Sequence, residues 1–225
     1  MAGKVKLSKR QIKEDQFTTF MLTAKDRLSE NWQPIALGVV GLIAVVALIS
    51  WYFNSQTAQV GEASEQFANA MRDYSSERYQ PALLGFQQIM DNYGGTSEAR
   101  RAAFLTGRIH LNAREYSEAI TFFQKFLREA KKDPMNRAAA LGGIAACYED
   151  QANLTEAASY YMQAADEYVD GPAEPDYRFS AVRCLIGAGD LAGSGPQVDI
   201  LKERFAGTEQ ANRAIVLYTE KSGGK

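Results

Sequence analysis

One histidine, His110, and two cysteines, Cys147 and Cys184, are all that 225 residues offer to a metal or a nucleophilic relay. A structural zinc site takes four such ligands and an HExxH site takes two histidines, so this chain lacks the material for either. No GxxxxGK[ST] phosphate loop occurs, and Gly38-Val39-Val40-Gly41 sits inside an apolar run. Basic excess is absent too: 25 Lys and Arg stand against 27 Asp and Glu, a net charge of −2. Nucleic acid therefore finds no electrostatic footprint. Residues 54–225 show no strand-like alternation of useful length. What remains is a chain with 46% hydrophobic and 23% charged residues, too apolar to be mainly disordered. The expected protein is not an enzyme. No catalytic residue, cofactor, metal ligand or small-molecule substrate is assigned.

Charge is missing altogether between Glu30 and Glu62. Inside that gap, Pro34 to Phe53 reads PIALGVVGLIAVVALISWYF, 20 residues and nearly all apolar. At about 1.5 Å per residue, a helix of that length spans the ~30 Å hydrocarbon core of a bilayer. Trp32 precedes the run and Trp51, Tyr52 and Phe53 close it, as interfacial aromatics do. A cleaved signal peptide has a shorter apolar core behind a short basic head. Here Glu14, Asp15, Asp26 and Glu30 precede a longer run, so the expectation is an uncleaved transmembrane signal anchor over residues 34–53. Residues 1–33 hold Lys4, Lys6, Lys9, Arg10, Lys13, Lys25 and Arg27, whereas only Arg72 follows within 20 residues of Phe53. The positive-inside bias keeps the N-terminus in the cytoplasm and exports residues 54–220, ahead of a short disordered tail at 221–225. Gly38, Gly41, Ala44 and Ala47 recur every three residues, suited either to a lipid-facing anchor or to approach by another helix. In the cytoplasmic segment 1–33, Ser8-Lys9-Arg10-Gln11 fits a capping box. Phe17, Phe20, Met21, Ala24 and Leu28 then recur at helical spacing, for the inner leaflet or for a partner protein.

The exported part repeats. RYQPALLGF at 78–86, EYSEAITFF at 115–123 and NLTEAASYY at 153–161 align. Alanine recurs at 82, 119 and 157 and an aromatic at 86, 123 and 161, in steps of 37 and 38. A weaker fourth copy starts at Gly189-Asp190-Leu191. The pattern predicts stacked helix hairpins, none able to bury its apolar face alone. Tyr79, Tyr116, Leu154 and Leu191 stand at the turns, and the alanines stand where two helices approach. Leu83, Ile120 and Ala158 follow the alanines, and the aromatics fill the space between hairpins. In the preceding helices a small residue recurs as Ala70, Gly107 and Ala145.

Asp133-Pro134 predicts an N-cap with proline at the first helical position, and Thr96 or Ser97 caps the helix after Gly94-Gly95. Gly171-Pro172 and Gly193 to Pro196 are expected to break the chain, with Ser194 and Pro196 spoiling the fourth copy. Glu209 to Glu220 reads as a last helix covering the open end. Asn54 to Tyr74 carries no breaker except Gly61, so the membrane helix is expected to run into the first repeat. The adjacent acids Glu149-Asp150 and Asp166-Glu167 read as solvated helix ends, and His110 as a packed or partly exposed residue.

These residues resemble the tetratricopeptide repeat over about residues 60–206. The third copy fits best, at Ala145, Tyr148, Leu154, Ala157, Tyr161 and Ala164; the second carries Phe126 where the family has alanine. The resemblance implies an all-α right-handed superhelix whose first helices line a concave groove. Counted by family position, that groove shows Phe67, Met71, Tyr74, Arg101, Phe104, Arg108, Phe179 and Arg183. Where the family's carboxylate clamp has asparagine and lysine, this chain has Arg108, Ala146 and Leu105. The whole layout is similar to the YfgM-like family of bacterial envelope proteins. That similarity implies protein partners at the inner membrane: the Sec translocon, periplasmic chaperones and exported clients, with membrane lipid around the anchor. The alternative partner class is a scaffolded envelope complex, in cell division, peptidoglycan synthesis or outer-membrane assembly. Cys147 and Cys184 occupy equivalent positions in consecutive repeats. Helix axes about 8–10 Å apart favour a buried thiol pair over a bridge, which needs Cα atoms within about 6.8 Å.

Overall fold

The structure, a computed structural model, describes residues 32–223. The chain divides into two compact units, Met1–Ala58 and Gln59–Lys225. The capping box at Ser8 and the amphipathic stretch from Phe17 to Leu28 lie outside the described residues. Among those described there are nine helices. They are α1 Trp32–Ser75, α2 Tyr79–Asn92, α3 Ser97–Asn112, α4 Tyr116–Glu129, α5 Pro134–Asp150, α6 Leu154–Glu167, α7 Glu174–Gly187, α8 Leu191–Arg204 and α9 Glu209–Ser222.

In the first unit, α1 carries its apolar side chains outward. Leu37, Val40, Leu42, Ile43, Val45, Val46, Leu48, Ile49 and Trp51 are 50 to 73% exposed. Counted over the described residues, no helix is long and apolar enough to cross a membrane. The side chains of Pro34, Ile35, Val39, Tyr52 and Phe53 are not among those described.

In the second unit the helices pack as successive hairpins: α3 with α4, α5 with α6, and α7 with α8. The first helices of neighbouring hairpins also touch, α3 against α5 and α7 against α9. The turn inside each hairpin is the same device four times. Glu77, Arg114, Ala152 and Gly189 each adopt positive φ two residues before the next helix begins. The N–H one residue later bonds back across six residues: Arg78 to Asp73 O, Glu115 to His110 O, Asn153 to Tyr148 O and Asp190 to Leu185 O. That 6→1 bond defines the Schellman close of a helix. Only the fourth copy has glycine at the left-handed position, so the motif was not legible from glycine placement.

The predicted caps are present. The Asp133 carboxylate accepts from Asn136 N–H, Pro134 opens α5, and the Thr96 hydroxyl accepts from Ala99 N–H. The expected break at Gly193 to Pro196 is a correction, because α8 runs unbroken from Leu191 to Arg204. Asp190 accepts from Gly193 N–H and nucleates the helix, and Pro196 stands only six residues in. Proline there lies inside the helix and forfeits one ladder bond, yet the helix continues through it. Ser194 then takes the alanine's part. Ala82, Ala119, Ala157 and Ser194 are all fully buried, the serine hydroxyl satisfied on Leu191 O.

The core follows the repeat. Phe86, Phe123 and Tyr161 are buried, and Val198 holds the fourth position. Gly85 meets Ala70 so closely that an added Cβ would lie 2.9 Å from the alanine Cβ.

Candidate interaction groove

The predicted groove residues fall into two clusters, with α5 between the helices that carry them. The first lies on α1 and α3. Met71 and Tyr74 are half-buried, and Phe67 is buried at 5% exposure rather than displayed. Its ring packs on Phe86 at 5.8 Å, and the Arg101 guanidinium lies 4.4 Å from its centroid. Phe104 turns inward, with its ring 5.9 Å from Phe123 and 5.3 Å from Phe126. Arg101 and Arg108 are exposed, and neither makes an ion pair among the described residues. This face offers two free cations two helical turns apart, the nearer one stacked on an aromatic ring.

The second cluster lies on α7 and α9. Phe179 and Arg183 line a cavity of about 490 Å³ together with Asn212, Arg213, Val216 and Glu220. Arg213 lies 4.6 Å over the Phe179 ring. Arg183 is tied to Glu149, Nη1 to Oε1 at 2.5 Å. The same carboxylate accepts from the Tyr161 hydroxyl at 2.9 Å. Burial, then the Glu149 charge and hydrogen bond, push the Tyr161 phenol above its ordinary value.

Arg213 was missed in the sequence, and so was the half-repeat it belongs to. Gly207-Thr208-Glu209-Gln210-Ala211-Asn212-Arg213 repeats Gly95-Thr96-Ser97-Glu98-Ala99-Arg100-Arg101. Gly95 and Gly207 both have positive φ, and Thr96 and Thr208 both cap the following helix. In this register Phe179 and Arg213 occupy the places of Phe67 and Arg101 three repeats on. The shared Gly-Thr-x-x-Ala-x-Arg string was the available signal. α9 is thus the first helix of a further half-repeat, packed on α7 and α8.

The paired acids are also corrected: they are engaged rather than merely solvated. Glu167 holds Arg137 at 2.5 Å, Glu149 holds Arg183, Asp150 accepts from the Tyr116 hydroxyl, and Asp166 accepts from Arg178. The centre of the last network is Glu174, whose side chain is wholly buried. It accepts from Arg178 Nε at 2.7 Å, from Arg204 Nη1 at 2.7 Å and from Asp170 N–H at 2.6 Å. Burial pushes the carboxyl up, but the hydrogen bonds from Arg204, Arg178 and Asp170 outweigh it and hold it below the ordinary value. Nothing in residue spacing announced this corner, which joins the end of α6, the start of α7 and the end of α8.

His110 is packed as expected, stacked on Phe122 at 5.4 Å with Nδ1 2.5 Å from a Glu115 carboxylate oxygen. Cys147 and Cys184 are both buried and free. Burial pushes each thiol up to about 11, away from the thiolate that nucleophilic chemistry needs.

Residues 25–174 match the family described as "Tetratricopeptide repeat-like domain". No curated protein matches. Among solved structures, the chain is similar to a crystal structure of a single-residue variant of nearly identical TPR-like repeats, assigned to a Podosopora anserina kinesin light chain. The TM-score is 0.53 at 12% identity, covering 73% of this chain and 88% of that one. That likeness concerns the fold.

Proposed function

The chain belongs to the tetratricopeptide repeat-like domain family, and on that premise we propose that it is a membrane-anchored protein-interaction module of the bacterial envelope. Residues 34–53 cross the inner membrane once, the N-terminus is cytoplasmic and the repeat domain is periplasmic. Two things support the anchor. The apolar sequence from Pro34 to Phe53 is uninterrupted, and nine large apolar side chains of α1 stand exposed. Leaving such surface in water forgoes roughly 1.5–3 kcal/mol for each side chain that could be buried, which a bilayer recovers.

The observation that carries the interaction role is the exposed Arg101–Arg108 face, with no ion-pair partner among the described residues. Arginine and aromatic residues are the usual anchors of protein interfaces. The partner class favoured by the similarity of layout is the Sec translocon with the periplasmic chaperones that receive exported clients. Affinity purification of the full chain from membranes with mass spectrometry tests this. Translocon subunits in the eluate, lost with Arg101→Glu plus Arg108→Glu, support it. Cell-wall synthases or outer-membrane assembly subunits redirect it to a scaffold. A reporter fused after Lys225 that is active in the cytoplasm overturns the topology.

A further inference from the structure

A cavity of about 490 Å³ opens beside the N-terminus of α3 and the connection from α4 to α5. Four cations line it: Arg100 and Arg101 from α3, and Lys131 and Lys132 from the connection. None of the four makes an ion pair among the described residues. In the same domain Arg137, Arg178, Arg183 and Arg204 are each bound to a carboxylate, whereas these four line one cavity without one. Residues 54–225 carry five more acids than bases. Carboxylates to neutralise the cluster are therefore plentiful, yet four positive charges face one cavity. Of the two acids on its wall, Asp133 is committed, accepting from Asn136 N–H at 3.2 Å and Asn136 Nδ2 at 2.8 Å. Glu129 and Asp133 together leave the lining with two positive charges in excess.

The geometry points to a docking pocket for an acidic segment of a protein partner, a stretch carrying two or more aspartates or glutamates. This rests on the interaction-module reading and names the chemistry of one contact. The cations converge from two elements, so they present a field and not a single point charge. Arginine forks hold carboxylates bidentately, and lysines add charge without fixing orientation. The volume lies in the ligand-pocket range of about 300–1,000 Å³, more than one small inorganic anion fills. Phe126 and Ala130 close the wall behind the cations and are themselves buried, and it is the excess positive charge at the mouth that selects an acidic occupant.

The test uses the full chain in detergent and a fluorescein-labelled Asp-Glu-Asp-Glu-Asp-Glu peptide, read by anisotropy. Saturable binding is expected, weakening as salt rises. Lys131→Ala with Lys132→Ala, exposed positions whose loss leaves the circular-dichroism melt unchanged, should weaken it about tenfold. Lys202→Ala with Lys221→Ala, the same charge change elsewhere, should leave it unaltered. Equal binding by both double variants, or no binding by the wild type, overturns the pocket. So does competition by inorganic phosphate, or by phosphatidylglycerol vesicles, as effective as unlabelled peptide, which assigns the cavity to small anions or lipid headgroups. Partner capture is run in parallel on the same variants. Partners retained without peptide binding overturn this inference and leave the interaction reading standing. A wild-type chain that captures no specific partner overturns that reading itself.

Discussion

The Phe123 ring closes on Gly143 so tightly that a Cβ there would stand 2.6 Å from the ring Cζ. Gly107 meets the other side of the ring, with an added Cβ 2.9 Å from Cδ1 and Cε1. Phe123 is thus seated between helices α3 and α5, the aromatic of one hairpin held by glycines of two. Gly143→Val should overpack this site and cost about 1–3 kcal/mol, since a ring at 1% exposure has nowhere to move. A thermal melt at the wild-type midpoint would contradict the packing.

Much of the second unit was legible because its signals are local. Tyr79, Tyr116, Leu154 and Leu191 each begin the second helix of a hairpin, and the small positions at 82, 119, 157 and 194 are all buried. What escaped depends on context. Pro196 reads as a breaker, but the helix capped by Asp190 carries it at its sixth position. Arg213 and Phe179 become a pair only when a helix and its neighbour stack. Phe104 lies on the expected helix face but turns inward, packing on the rings of Phe123 and Phe126 of the next helix. The Glu174 corner joins three helices whose charges have no common spacing.

The left-handed residues of the hairpin turns yield a stabilising substitution. Ala152 holds φ 57° with no side-chain hydrogen bond to compensate it. For an L-residue that conformation costs roughly 1–2 kcal/mol, and glycine removes most of it at some entropic cost. Ala152→Gly should therefore raise the melting temperature by a few degrees, and Gly189→Ala, at φ 85°, should lower it. Opposite signs in calorimetry would show that the turns are not Schellman closes in solution.

Glu174 sets an acid limit. Its folded-state value is depressed from the ordinary 4.5, so it contributes stability above that value and loses it as pH falls through the folded value. Urea melts should show stability falling with acidification below about pH 4.5. Glu174→Gln should flatten that limb while costing about 3–5 kcal/mol near neutrality, because Arg178 is left buried with a weaker partner set. An unchanged acid limb in the variant would remove Glu174 from this role.

The cysteines should be chemically silent. With both thiols buried and pushed up to about 11, iodoacetamide at pH 8 should leave the native protein unmodified for hours and label two sites in denaturant. Rapid native labelling would contradict the burial, and no labelling in denaturant would reveal a bridge between them.

Photo-crosslinking from single positions is the most direct measurement of the central claim, that partners dock on the face of the first helices. Benzoylphenylalanine is placed at Arg108 on α3, at Val216 on α9 or at the exposed Leu84 on α2, in the full chain in living cells. Specific protein adducts are expected from Arg108 and Val216 and none from Leu84. Adducts from Leu84 with the two groove positions silent would place the interface elsewhere and contradict the account.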